Sequence, residues 1–343
     1  MEPQRRGRTL HARSYVHRQM YHTEDILYHN ETYEKALRAL EMGRAARENC
    51  DVVTGERAPQ IVQLAGDDPE QFVQAARRFL PIADAIDLNL GCPQARARDG
   101  HYGGYLLKRR EWPLLERIVH ALCKSCDVPI TTKIRLCDTA SDTYELGQRL
   151  ALAGSSVITL HARHVAPNRR RAGMAKLEHV RGLVDALGAE RRTRVLSNGN
   201  VRSWADIPTN MAYTHADGVM VGEPLLVNPD LFAPSAACSH HQHRPAQCDL
   251  SDSQCQWSGS PIVTYLSMCE RYPNDAPMSC IHQHIQSMMR GLPPSRETRA
   301  LHDALREAGD VQTMLHLATS SSVLQLQAGA VHKDGPKWPG DSA

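Results

Sequence analysis

Six short apolar runs, with helically patterned stretches between them, constrain this chain more than any other feature. The runs lie at 60–64, 85–90, 129–134, 156–160, 194–197 and 218–221. Each is short enough to be a buried strand. Helical patterns fall at 69–79, behind the cap-like Asp67-Asp68, and at 112–123, 144–153, 177–187 and 204–213. Such alternation argues for a parallel α/β sheet with right-handed crossovers. A poorly patterned stretch at 15–26 supplies a seventh strand. A closed TIM-type (β/α)8 barrel needs eight, and residues 1–13 hold nothing strand-like. The expectation is a barrel lacking its first strand and helix.

Texture divides the chain further. Residues 1–19 read as a polar extension and 20–232 as the barrel. The segment 233–260, rich in Ser, His, Gln, Cys and Pro, reads as a linker or insertion. Residues 261–320 turn helical and suggest a small all-helical domain. The tail 321–343 is polar and is expected to be disordered. Apolar residues are 41% and aromatics 5%, so the core must be mostly Leu, Val, Ile and Ala.

The net charge of +2 does not suit a protein that relies on bare attraction to nucleic acid; any RNA affinity needs a local basic face. No run approaches the roughly 20 apolar residues of a membrane span, so no membrane association is expected. The Arg-rich start has no apolar stretch for a signal peptide, though an organelle transit segment would share its composition. Ten Cys without the density of a stapled secreted domain suggest a reducing compartment. The expected location is the cytoplasm, with nucleus or organelle as alternatives. Cys123-x2-Cys126 is half a zinc spacing without a second pair. Cys238, Cys248 and Cys255 with nearby His240, His241 and His243 look more metal-like, but no metal is assigned.

In a parallel barrel the C-terminal strand ends form the active face. In chain order they carry Gln63, then Asn89 to Gln94, then Lys133 and Arg135. His161 and Arg163, Asn198-Gly199-Asn200 and Gly222-Glu223 follow. The last two turns stand where this fold usually holds a phosphate on backbone N–H groups.

The segments LNLGCPQ, GHYGGYLL, TTKIR, HAR, SNGN and ADGVMVGEPLLVNPDLF together resemble the dihydrouridine synthase family. The likeness runs from about Met20 to Phe232 and resumes weakly in the helical stretch. It looks most like the eukaryotic subfamily acting on positions sixteen and seventeen of the tRNA D-loop. The resemblance implies a flavin (FMN) enzyme that takes reducing power from NADPH and reduces uridine in tRNA. It makes Cys92 the acid that delivers a proton to C5, and a thiol of ordinary pKa is protonated at neutral pH. It makes Gln63, Lys133, His161, Asn198, Gly199, Asn200, Gly222 and Glu223 flavin contacts. Glu223 replaces the Arg that many members carry at that turn, leaving the phosphate to backbone N–H groups.

Asn89, Arg135 and Arg163 are the expected substrate contacts. An Asn amide can pair with a uracil edge; Arg135 could face flavin or RNA phosphate. Arg96, Arg98, Arg169, Arg170 and Arg171 would meet tRNA phosphates from the active-face loops, with His282, His284 and Arg290 in the helical domain. No obligatory protein partner is expected. Two rival readings stand beside this one: a barrel paralogue that binds tRNA without catalysis, and a flavin reductase of small molecules such as a dihydroorotate dehydrogenase relative. The Arg-rich loops and the helical domain count against the second. The family's first strand ends in a Pro-Met turn that no residue before Tyr21 reproduces, so one side of the flavin would lack support.

Overall fold

The computed structural model describes residues 18–48, 59–166, 173–229, 231–232, 260–271, 273 and 276–325. The chain divides into two compact units, Met1–Val201 with Ala205–Val221, and Arg202–Trp204 with Gly222–Ala343. Residues 1–13, Arg169 to Arg171, Cys238, Cys248 and Cys255 lie outside the described residues.

The first unit is a seven-stranded parallel sheet in chain order: β1 (Arg18–His22), β2 (Ile61–Ala65), β3 (Ala85–Leu90), β4 (Ile130–Leu136), β5 (Val157–His164), β6 (Arg194–Asn198) and β7 (Gly218–Met220). Among the described residues no strand pairs with the outer edge of β1 or β7. Helices α1 (Thr23–Tyr28) and α2 (Asn30–Glu48) follow β1, and α3 (Pro69–Phe79) follows β2. Short α4 (Ala95–Asp99), two 3₁₀ turns (Gly103–Leu107 and Arg109–Glu111) and α5 (Trp112–Ser125) follow β3. Then come α6 (Ala140–Ala153), α7 (Glu178–Leu187) and α8 (Asp206–Thr214).

Alternation along each strand sorts the side chains. Val62, Leu64, Ile86, Leu88, Ile158 and Leu160 are all fully buried in the main core, which they share with apolar faces of the helices. Residues offset by one, among them Gln63, Asp87, Thr131 and Thr159, lie on the sheet's other face. Helix ends are where local chemistry puts them. The carboxylate of Asp68 accepts from Gln71 N at 2.8 Å with Pro69 next in line, and Thr139 caps α6 through Asp142 N at 3.0 Å. Both satisfy otherwise orphaned N–H groups.

The stretch 15–26 narrows to a five-residue β1 with α1 directly behind it. Helix α2 was not anticipated. Its residues favour helix, but of its well-described side chains only Ala36 and Leu40 are buried, with Tyr33 packed against the core. So narrow a stripe leaves little periodicity to read. The second unit holds α9 (Pro224–Val227), α10 (Pro261–Arg271), α11 (Met278–Met289), α12 (Arg296–Glu307), α13 (Val311–Thr319) and α14 (Ser322–Gln325). It has its own core around Leu266, Ile285, Leu305 and Met314. No described helix is long and apolar enough to cross a membrane.

Candidate active site

Parallel register lines up the polar strand positions. Gln63 stands opposite Asp87, Asp87 opposite Thr131, Asn89 opposite Lys133, Lys133 opposite Thr159, Arg135 opposite His161, and His161 opposite Asn198. Paired residues of neighbouring strands present side chains on one face. The sheet therefore brings six of the expected site residues, Gln63, Asn89, Lys133, Arg135, His161 and Asn198, to one face of the first unit, and Cys92 to the loop at its rim.

A buried hydrogen-bond chain crosses that face. Thr131 Oγ1 donates to Asp87 Oδ1 at 2.5 Å, and Gln63 Nε2 donates to Asp87 Oδ2 at 2.5 Å. Gln63 Oε1 accepts from Asn89 Nδ2 at 2.8 Å. Asn89 Oδ1 then accepts from both Gly91 N (3.0 Å) and Cys92 N (2.9 Å). The amide of Asn89 thus fixes the turn that carries Cys92. Asp87, fully buried, anchors the far end. Sequence reasoning passed over it. The available signal was the polar pair Asp87 and Asn89 at i and i+2 within an otherwise apolar strand.

Cys92 is buried, with 9% exposure. Its carbonyl accepts from Gly104 N at 3.0 Å. Gly103 has φ +67°, and a Cβ there would stand 2.9 Å from Cys92 Cβ. Only glycine meets both demands cheaply. Tyr102, Ala65 and Ala97 pack around the thiol-bearing residue.

Arg135 is buried and donates from Nε to Gly91 O at 2.8 Å and from Nη1 to His164 O at 3.2 Å. Among the described residues it has no carboxylate partner. Burial, with the Arg163 charge nearby, holds its guanidinium below the ordinary arginine value. A desolvated cation with only carbonyl partners favours an anionic or strongly polarised oxygen beside it.

Arg163 ties three segments together. Its Nη1 donates to His161 Nε2 at 2.9 Å, since an arginine can only donate. Nη2 donates to Asn200 Oδ1 at 3.1 Å and Nε to Gly173 O at 2.9 Å. Asn200, at φ +60°, also accepts from Ala175 N and donates to Ala175 O, both at 2.9 Å. Gly199 has φ +134°, and a Cβ would meet Ala175 Cβ at 2.5 Å. Asn198 Nδ2 donates to Met220 O at 2.7 Å. Thr159 Oγ1 is buried on the same face without a hydrogen-bond partner.

Gly222 and Glu223 open the second unit at the start of α9, where their carbonyls accept from Leu225 N and Leu226 N at 3.0 Å each. In that unit His284 Nδ1 lies 2.8 Å from Tyr265 Oη, His282 Nε2 lies 3.1 Å from Ala308 O, and Arg290 Nη2 donates to Ser287 Oγ at 2.7 Å.

A parallel α/β sheet with a buried polar chain across one face, and a buried cation and a rim cysteine toward its C-terminal strand ends, defines a barrel-type enzyme scaffold. The family model described as dihydrouridine synthase (Dus) matches residues 6–324, and the chain belongs to that family. A Rattus norvegicus protein named tRNA-dihydrouridine(16/17) synthase NAD(P)(+)-like is 34% identical over 81% of this chain and 56% of its own length. The Schizosaccharomyces pombe tRNA-dihydrouridine(16/17) synthase is 35% identical over 69% of this chain and 56% of its own. A Homo sapiens tRNA-dihydrouridine(20a/20b) synthase-like protein is 28% identical over 71% and 68%. The chain spans about half the length of the curated (16/17) relatives it matches.

Proposed function

We propose that this chain reduces the C5=C6 bond of uridine in the tRNA D-loop, at positions sixteen and seventeen, with FMN as its flavin and NADPH as reductant. The single observation that carries the reading is the buried chain Thr131–Asp87–Gln63–Asn89, which holds the Cys92 turn at the rim of the polar strand face. A proton donor needs such fixed placement beside the atom it serves.

The residues present fit a flavin. Among the described residues, Thr159 Oγ1 is an orphaned buried polar atom on that face and Arg135 is a buried cation with carbonyl but no carboxylate partners, while Gly199 makes a close turn that a side chain would fill. Bound there, the group would supply a hydride for the electron-poor C6 of uridine. Gln63, Lys133, His161, Asn198, Gly199, Asn200, Gly222 and Glu223 would hold it. Cys92 would give its thiol proton to C5. Asn89, Arg135 and Arg163 would contact the uridine or its phosphate. Arg96, Arg98 and Arg169 to Arg171 would meet tRNA phosphates, whose binding is dominated by such charges. The compartment proposed is the cytoplasm.

The test is direct. Purified protein is expected to carry flavin visible by absorbance, to bleach on NADPH, and to form dihydrouridine at those two positions in unmodified tRNA. Protein that binds flavin and reacts with NADPH but leaves the tRNA unchanged would overturn the substrate assignment. Colourless protein that takes up no added FMN would overturn the cofactor.

A further inference from the structure

We propose that His101, in its protonated form, is a positioning residue that clamps the Cys92 loop shut by bridging the carboxylates of Asp67 and Glu111, and that the clamp releases as the imidazole loses its proton. The catalytic meaning of this clamp rests on the function proposed above; the clamp itself does not.

His101 lies between α4 and the first 3₁₀ turn. Its Nδ1 is 3.0 Å from Asp67 Oδ2, and its Nε2 is 3.3 Å from Glu111 Oε1. A neutral imidazole has one N–H and can satisfy one of these acceptors; the cation donates to both. A carboxylate on each ring nitrogen is thus the geometry of an imidazolium. The two partners belong to different segments. Asp67 sits in the loop after β2, and Glu111 closes the second 3₁₀ turn ahead of α5. The ring therefore pins the loop after β3 to both its flanks.

Backbone strain points the same way. His101 has φ +50°, a conformation that non-glycine residues seldom adopt without support. The next three residues form the wall around Cys92. Tyr102 packs with it in one cluster, Gly103 leaves room that a Cβ, 2.9 Å from that of Cys92, would close, and Gly104 N donates to its carbonyl. Fixing residue 101 fixes that wall.

The charges around the ring agree. Asp67's hydrogen bond, helped by Glu111 and opposed by slight burial, raises the imidazole pKa above its ordinary value. Burial pushes Glu111 up, but its bonds to Arg110 and His101 outweigh this and leave it below the usual carboxylate range. Arg110 Nε donates to the same Glu111 Oε1 at 3.0 Å. The nearby Arg98 and Asp99 on α4 pair with each other at 2.9 Å. A histidine whose pKa rises on folding stabilises fully below its unfolded value near 6.5 and loses that contribution as pH climbs through the folded value.

The experiment measures alkylation of Cys92 by iodoacetamide in the full chain, read as mass gain of the Cys92 peptide. It compares wild type with His101→Asn at about pH 6 and about pH 9, on either side of histidine titration. Asn tolerates φ above zero and carries no charge. Because pH by itself changes the alkylation rate of both proteins, the variant-to-wild-type ratio is the readout. The expected ratio is about three- to tenfold at the lower pH, the scale of two partly exposed charge-assisted bonds, and near unity at the higher pH.

A ratio that is the same at both pH values, or unity throughout, overturns the clamp. Asp67→Asn provides a second route should the first variant fold poorly. Without that carboxylate the imidazole titrates lower, so Cys92 protection should be lost at a lower pH than in wild type; an unmoved midpoint also overturns the clamp. Neither measurement needs flavin or tRNA. A working clamp in a protein that forms no dihydrouridine would therefore sink the functional reading and leave this one standing.

Discussion

Cys92 is positioned by its backbone rather than by its thiol. Its N–H binds Asn89 Oδ1 and its carbonyl binds Gly104 N, and neither bond involves the side chain. Cys92→Ala should therefore leave the turn intact, keep flavin binding and keep reduction by NADPH. Dihydrouridine formation should fall about 10²–10⁴-fold, the usual size of an acid–base contribution. Turnover on tRNA unchanged from wild type would remove Cys92 from the chemistry. The same geometry gives Asn89 a second duty beside the substrate contact proposed for it, since its amide already spans Gln63 and the Cys92 turn. That duty could not be read from residue type. An Asn at a strand end can face a ligand or brace a loop, and only the path of the chain beyond it decides which.

At the scale of elements, Asp217 is the joint between the last two strands. It precedes β7, and its carboxylate accepts from Val195 N on β6 at 2.8 Å, from Arg191 at 3.0 Å and from Arg194 at 2.9 Å. Burial pushes its pKa up, but the Val195 N–H and the two guanidinium groups outweigh this and leave it below the ordinary carboxylate value. A depressed carboxyl stabilises the fold above its unfolded value near 3.8, and that stability fades as pH falls through the folded value. Asp217→Asn should cost about 1–3 kcal/mol at neutral pH, as one acceptor side turns donor. The deficit should shrink progressively in thermal melts as pH falls from the unfolded value near 3.8 through the lowered folded value, where the wild-type carboxyl becomes protonated as well. A deficit that persists undiminished at that acidity would assign the effect to packing instead. The strands themselves were readable because buried parallel strands are continuous apolar runs. Helix α2 was not, because its buried stripe is thin and most of its surface is charged.

At the scale of the whole molecule, each compact unit has its own apolar core. Met314 is fully buried in the helical one. Met314→Ala should destabilise that unit by about 2–5 kcal/mol, the range for truncating a buried aliphatic side chain. Hydrogen exchange would report it as lost amide protection in α10 to α13; protection unchanged there would mean that the cavity is refilled. By itself the sequence determined the parallel α/β class, the order of the strands and the row of polar strand ends. Those features rest on local patterning: a period of two or an apolar run for strands, a period near 3.6 for helices, and motif residues a few positions apart. Only the tertiary structure decided that Asp87 anchors Gln63 and Thr131, that Arg163 joins His161 to Asn200, and that His101 bridges Asp67 and Glu111. Most of those partners are more than 20 positions apart. They meet because parallel crossovers return each strand beside the last, and that register is set by packing of the whole sheet rather than by any local run of residues.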